Sequence, residues 1–266
     1  MTRRPFAVIT GAARGIGACT AQRLAQRGYS VALLDLAGGN EIASIPAPYQ
    51  SATMDDLESA VARCGGHGHG YSIDVRDGDA MVQLGNELAE QFGGIDVAVA
   101  AAGAVSGSQP LWETSSDVWQ AMVEINLTGV FHLVRATVGS MLSSPAPRHG
   151  RFIAVASAAA HYGLPQLGAY SAAKHGVAGL ISSLAAELGT SGVTANAVCP
   201  GSTRTAMLDA SAAVYGLNNA DEFAQQARIG RLIDPDEIAA TIEWLATDAP
   251  SALTGALIDV DGGFSA

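Results

Sequence analysis

The chain has 266 residues, of which 48% are apolar and 15% charged, a balance that supplies a large core and excludes a disordered segment. Fourteen basic residues against twenty-five acidic ones give a formal charge of −11, which excludes nucleic acid and anionic membrane as expected partners and leaves a small molecule. Cys19, Cys64 and Cys199 are odd in number, far apart and outside any C-x-x-C spacing, so neither a disulfide framework nor a zinc site is indicated and a reducing cytoplasm is expected.

The basic start of the chain is followed by a short apolar run ending in Gly11 and Arg14, which is not a signal peptide. The first strand is Phe6–Thr10, followed by a helix over 15–27 and a second strand over 31–35, one βαβ unit. Residues 36–52, with Pro46 and Pro48, read as an inserted loop, functional or mobile at that length, before a helix that Thr53 caps. Later strands are expected at 71–74, 95–101, 152–157, 194–198 and Leu257–Val260, each separated from the next by a helical stretch. His67 and His69 lack a carboxylate or cysteine ligand set and read as a solvated turn. The helical pattern over 112–142 is long, and its surplus apolar surface suggests a subunit contact, while 203–228 follows a strand end and reads as a substrate lid. The uncharged stretch 152–173 is broken by Ser157, His161, Pro165 and Gln166, so no membrane span is expected. Seven apolar runs without strict alternation imply strands buried on both faces. The expected fold is α/β: a single-domain, Rossmann-type, doubly wound sheet of about seven parallel strands with helices on both faces, covering 1–266.

Thr10 to Gly17, with Gly11, Arg14, Gly15, Ile16 and Gly17, follows a strand and opens a helix, the context required of a phosphate-binding glycine loop. Free N–H groups and the positive end of the helix dipole stabilise phosphate charge there. Asp35 ends the second strand eighteen residues after Gly17, where a carboxylate accepts from the adenosine ribose hydroxyls and repels a 2′-phosphate. Leu36 follows it with no basic neighbour, so the cofactor expected is NAD rather than NADP, with the Arg14 guanidinium as the one group able to argue otherwise.

Tyr170 and Lys174 stand four residues apart near the start of a helix, one turn from each other on one face. A cation beside a phenol favours the phenolate and brings its pKa down from about 10, making the pair an acid and base near neutral pH. On a surface helix the same spacing means nothing. Together with the glycine loop, Asp35 and a strand-end Ser157 thirteen residues before Tyr170, the chain resembles the short-chain dehydrogenase/reductase family along essentially its whole length.

The resemblance implies that Ser157 hydrogen-bonds the substrate oxygen and that Lys174 also binds the nicotinamide ribose. It assigns Asn126, on the long helix, to a water linking the lysine to solvent, the alternative being a polar residue that kinks the helix. It further places Asp74 and Val75 beside adenine, Ala102 and Gly103 against the cofactor, Pro200 and Gly201 on the nicotinamide side and Thr205 at the carboxamide. The family's Asn-Asn-Ala-Gly appears here as Ala100-Ala101-Ala102-Gly103, which removes side chains that brace the sheet. The loop 36–52, with its pattern at 45–49, is similar to a subgroup whose nicotinamide is tightly held and serviced by the redox peptide mycofactocin; the other reading is an ordinary surface insertion.

The implied activity is hydride exchange between NAD and a secondary alcohol or ketone, in a homotetramer, with no metal. Leu164, Leu167, Met207 and Leu208 favour a small hydrophobic alcohol or ketone as substrate, and His161 and Tyr162 are further candidates for its pocket. The competing readings are an NADP-dependent 3-oxoacyl-type reductase and a non-enzymatic NAD-binding regulatory protein. No G-x-S-x-G elbow or P-loop ending occurs, which excludes the common hydrolase and kinase designs.

Overall fold

A computed structural model describes residues 3–38, 45 and 50–264. Pro46, Pro48 and most of the 45–49 pattern therefore lie outside the described residues. Seven strands, β1 (Phe6–Thr10), β2 (Ser30–Asp35), β3 (Gly68–Ser72), β4 (Val97–Ala100), β5 (Arg151–Val155), β6 (Thr194–Pro200) and β7 (Leu257–Val260), form one parallel sheet in the order β3-β2-β1-β4-β5-β6-β7.

Both faces are apolar because successive side chains of a strand point to opposite sides. In β1, Phe6 and Val8 join one core while Ala7 and Ile9 join the other. Helices α1 (Gly15–Gln26), α2 (Met54–Arg63) and α8 (Pro235–Thr247) supply Leu24, Leu57 and Ile242 to the second core. Helices α3 (Gly78–Phe92), α5 (Gly129–Ser143) and α6 (Gly168–Leu188) close the first with Met81, Leu133 and Ile181.

Several boundaries differ from the sequence reading. β3 begins at Gly68 rather than near Tyr71, because an edge strand needs backbone pairing, here with Val31 to Asp35, more than it needs apolar side chains. His69 accordingly sits in a strand, edge-on to the Phe92 ring at 4.9 Å, rather than in a turn. The strands expected over 95–101 and 152–157 are shorter at Val97–Ala100 and Arg151–Val155, and β6 runs two residues further.

The long helical pattern starts with a short 3₁₀ turn, Leu111–Glu113, and becomes regular at α4 (Ser116–Val123), where Ser115 caps by accepting from the Val118 N–H at 3.3 Å. A π-helical turn, Glu124–Thr128, then joins α4 to α5. At α2 the cap is the one expected: Thr53 Oγ1 accepts from the Asp56 N–H, and the Asp56 carboxylate accepts from the Thr53 N–H. Helix α7 (Ala206–Val214) and the 3₁₀ segment Ala220–Gln226 occupy the stretch after β6.

Candidate active site

The chain leaves β1 toward β2 and leaves β4 toward β5, in opposite directions along the sheet, so a crevice opens where these two neighbouring strands end. The loop after β1 fills its floor. Gly11 has φ +67°, and a Cβ there would stand 2.5 Å from the Ala102 nitrogen in the loop after β4. A Cβ at Gly17 would collide with the Gly11 carbonyl. Glycine is thus what lets the loop turn tightly between strand, helix and crevice.

Helix α1 begins there with no side-chain cap on its first N–H groups and no acid in its first turn. Gly15, Ile16 and Gly17 line the cleft, an arrangement suited to an anion such as a pyrophosphate. Asp35, at the end of β2, accepts from the Ala13 N–H at 2.9 Å, and burial raises its pKa. Asp35 lines the same cleft.

Arg14 also reaches the cleft, but its Nη2 donates to the Gln50 carbonyl at 2.6 Å, binding the glycine loop to the end of the inserted segment. Asp74 is held by Arg76, whose guanidinium contacts both carboxylate oxygens at 2.6 to 3.0 Å. The Val75 carbonyl lies 2.8 Å from His132 Nδ1 on α5, which fixes the loop beside the cleft and makes that nitrogen the protonated one.

Every residue that the sequence assigned to cofactor or catalysis lines this single cleft except Asn126. Asn126 is fully buried within the π turn and bonds to the loop after β4: its Nδ2 donates to the Ala104 carbonyl at 3.0 Å and its Oδ1 accepts from the Ala104 N–H at 3.2 Å. Bracing that the Ala100-Ala101-Ala102-Gly103 stretch lacks in side chains comes from Asn126 and from Thr10, whose Oγ1 accepts from the Ala102 N–H at 3.3 Å. The sequence reading placed Thr10 at the head of the glycine loop but did not foresee this bond, because a strand-end threonine carries no signal of its partner.

Ser157 leaves β5 in an extended conformation, and its Oγ accepts from the Ala159 N–H at 3.1 Å, opening a short 3₁₀ turn. Tyr170 and Lys174 project from α6 into the cleft, with Nζ 5.7 Å from the phenol ring centroid. Lys174 is only 3% exposed and donates to the Val155 carbonyl at 2.9 Å. Among the described residues no carboxylate lies within ion-pair distance of it, and burial lowers its pKa from 10.5 to about 8.

The outer wall is apolar. Leu164, Leu167, Met207 and Leu208 line it as the sequence suggested, joined by Val105, Ile125, Tyr215, Phe223 and Phe264, which sequence reading missed because they come from scattered loops and short helical turns. The Tyr215 hydroxyl donates to the Pro165 carbonyl at 2.8 Å, tying the segment after α7 to the loop before α6. His161 and Tyr162 do not line the cleft; His161 pairs with Asp259, and the Tyr162 ring lies 5.7 Å from that of Phe264.

Residues 11–265 match the protein family described as enoyl-(acyl carrier protein) reductase. The chain is 37% identical to cis-4-hydroxycyclohexanecarboxylate dehydrogenase of Sinomonas cyclohexanicum, over 98% of this chain and 96% of the relative. Carveol dehydrogenase from Mycobacterium avium, solved with NAD, superposes with a TM-score of 0.89 at 32% identity, covering 98% of this chain and 99% of the other. A short-chain dehydrogenase from Mycobacterium paratuberculosis, bound to NAD, superposes with a TM-score of 0.87 at 30% identity, covering 97% of each chain.

Proposed function

The chain belongs to the short-chain dehydrogenase/reductase family, and from that premise we propose that it interconverts a secondary alcohol and its ketone with NAD as hydride carrier. The observation that carries this reading is a buried, carboxylate-free Lys174 beside Tyr170, in a cleft whose far end holds Asp35 and the glycine loop. A non-enzymatic NAD-binding protein has no use for so unfavourable a placement of charge.

NAD, when bound, supplies the acceptor or donor of the hydride. Gly15, Ile16 and Gly17 would hold its pyrophosphate and Asp35 its adenosine ribose, with Asp74, Val75 and Arg14 toward the adenine side. Pro200, Gly201 and Thr205 would flank the nicotinamide, with Ala102 and Gly103 against the cofactor. During oxidation Tyr170 Oη takes the alcohol proton, and the Ser157 hydroxyl donates to the oxygen on which charge gathers. The Lys174 ammonium favours the ionised phenol and would also hold the nicotinamide ribose, so that cofactor binding and proton transfer would share one cation. Asn126 braces the loop after β4 behind them, and its assigned part is the water relay from the lysine to solvent. Reduction runs the same path backwards, and no metal takes part in it.

The substrate assigned is a small, apolar, cyclic alcohol: the names of both relatives are those of ring alcohols, one of them a carboxylate, and the aliphatic and aromatic wall favours the uncharged kind. Among the described residues the only cationic side chains lining the cleft are Arg14 and Lys174, both taken up by the cofactor end, so an uncharged ring fits better than a carboxylate. Asp35 opposes an NADP-dependent 3-oxoacyl-type reductase, and the Arg14 guanidinium near it is held by the Gln50 carbonyl. The whole chain is assigned as one NAD-binding domain in which 203–228 serves as the lid.

Retention of NAD under the 36–52 insertion, as in the mycofactocin-linked subgroup, has two supports. One is the Arg14 bond to Gln50; the other is Ile45, which is buried against a cluster containing Val105, Met122 and Tyr170. No helix among the described residues is long and apolar enough to cross a membrane, and the assigned place is the cytoplasm. Exposed Trp119, Phe131 and Leu142 along α4 and α5 favour a homotetramer, which sedimentation would size.

The deciding experiment is a panel of cyclic and open-chain secondary alcohols, scored by NADH absorbance and, for retained cofactor, by an artificial electron acceptor. Turnover of apolar ring alcohols with NAD supports the reading. Turnover confined to NADP and acyl-thioester ketones would replace it with the reductase alternative.

A further inference from the structure

Strands β6 and β7 run in register at one edge of the sheet, with Cys199 directly opposite Asp259. Facing partners on adjacent parallel strands point to the same side, so thiol and carboxylate project together. The turn after Ser157 brings a third group over them: His161 Nε2 lies 2.9 Å from Asp259 Oδ1. One ligand atom from each residue, Nε2, Sγ and a carboxylate oxygen, falls within 4.8 Å of the other two, and no other such triple occurs among the described residues.

Imidazole nitrogen, thiolate sulphur and carboxylate oxygen are the donors zinc takes. Around one tetrahedral zinc ion such atoms stand roughly 3.3 to 3.8 Å apart, so closing this triple onto an ion needs a shift of about an ångström. His161 and Asp259 are exposed while Cys199 is buried, which makes a site open to solvent with sulphur at its base. Burial, with Asp259 adding to it, pushes the thiol up to about 11 in the absence of a cation. The Ser157 backbone N–H and the Lys174 charge act the other way and favour the thiolate. A bound cation cancels the repulsion from Asp259 and deprotonates the thiol outright.

We propose that His161, Cys199 and Asp259 form a binding site for a thiophilic divalent cation such as zinc, and that filling it slows the enzyme by drawing the Cys199 sulphur away from the Ser157 backbone. The turn from Ser157 to His161 is short, so an ion fixed at its far end alters the placement of the serine hydroxyl at its near end. Binding stands on the side-chain geometry alone; only the inhibition rests on the alcohol oxidation described above.

The test uses the full chain saturated with NAD and freed of contaminating metal with a chelator. Cobalt, as a spectroscopic stand-in for zinc, should raise a near-ultraviolet thiolate-to-cobalt band that saturates at one equivalent. Zinc should slow alcohol oxidation about tenfold, with chelator restoring the rate, and both Cys199→Ala and Asp259→Asn should weaken zinc by roughly 10- to 100-fold. Two variants are needed because Cys199 lies in the core, whereas Asp259 is at the surface. Absence of the thiolate band, a band without slower oxidation, or zinc sensitivity unchanged in both variants would overturn the proposal. Failure of the metal-free protein to oxidise any alcohol would instead strike the activity, with the cobalt titration still deciding the site.

Discussion

Arg23 and Arg27 on α1 meet Asp236 and Glu243 on α8 and Asp248 just beyond it, Arg23 alone making three charge-assisted hydrogen bonds of 2.5 to 2.9 Å. Lys174 is buried in the cleft with a backbone carbonyl as its recorded hydrogen-bond acceptor. The chain contains thirteen arginines and a single lysine, and that lysine is the one in the cleft. A guanidinium stays protonated wherever it is put, whereas an ammonium responds to its surroundings, so among the lysine and arginine cations the one that is readily tuned sits where tuning has a use. Paired surface charge adds a little stability; unpaired buried charge subtracts from it and is found where chemistry needs it.

The largest effect expected from disturbing this contrast is on rate. Tyr170→Phe removes the hydroxyl that Lys174 serves, and kcat for alcohol oxidation should fall by about 10³-fold while the circular dichroism spectrum and NAD binding persist. A loss of less than about tenfold would break the comparison at its centre.

Lys174→Met should separate function from stability. Oxidation should drop by about 10²-fold or more, yet the cofactor-free variant should unfold at higher urea than the parent near pH 7, since a buried charge has gone. The pH dependence has a definite sign. With a folded-state pKa of about 8 against 10.5 unfolded, the unfolded chain holds a proton that the folded one lacks between those values. Parent stability therefore climbs from pH 8 to 10.5, by about 3 kcal/mol from this group, and the variant lacks that slope. Isotope-labelled lysine gives one resonance to follow, and a midpoint near 10.5 in the folded protein would contradict the burial argument.

At the other end of the cleft the relevant charge is negative. Asp35→Asn retains an acceptor for the Ala13 N–H while removing the repulsion of a 2′-phosphate, so the ratio of kcat/KM for NAD over NADP should shrink by about tenfold or more. An unchanged ratio would shift cofactor discrimination from Asp35 to other residues.

What could be read from the chain beforehand follows the same division. The glycine loop, Asp35 and the Tyr170 to Lys174 spacing are local patterns tied to a strand end or a helix face, so the sequence suffices to place them. The burial of β1 on both faces was legible for the same reason, from its unbroken apolar run. The Gly68 start of β3 was not, since an edge strand built from Gly and His is made by pairing with β2. Nor was the role of His161, because Asp259 lies ninety-eight residues away and meets it only through the order of the sheet. Phe223 and Phe264 were missed similarly, each contributing one ring to a wall assembled from segments far apart in the chain.

The smallest effect expected lies in the α1 to α8 network. Arg23→Ala removes three hydrogen bonds, but Glu243 keeps Arg27 at 2.7 Å, and Asp236, with a side chain 55% exposed, returns to solvent. No carboxylate is left buried and alone, which is the condition under which losing one partner of an ion pair becomes severe. The unfolding free energy should therefore fall by only about 1 kcal/mol at low salt and less at high salt, where surface charges are screened. Activity should be unchanged, because nothing in the network lines the cleft. Urea unfolding at two ionic strengths reads the first expectation and steady-state oxidation the second. A loss of several kcal/mol that salt did not diminish would mean that these surface charges are coupled to the core, and the contrast with Lys174 would have to be redrawn.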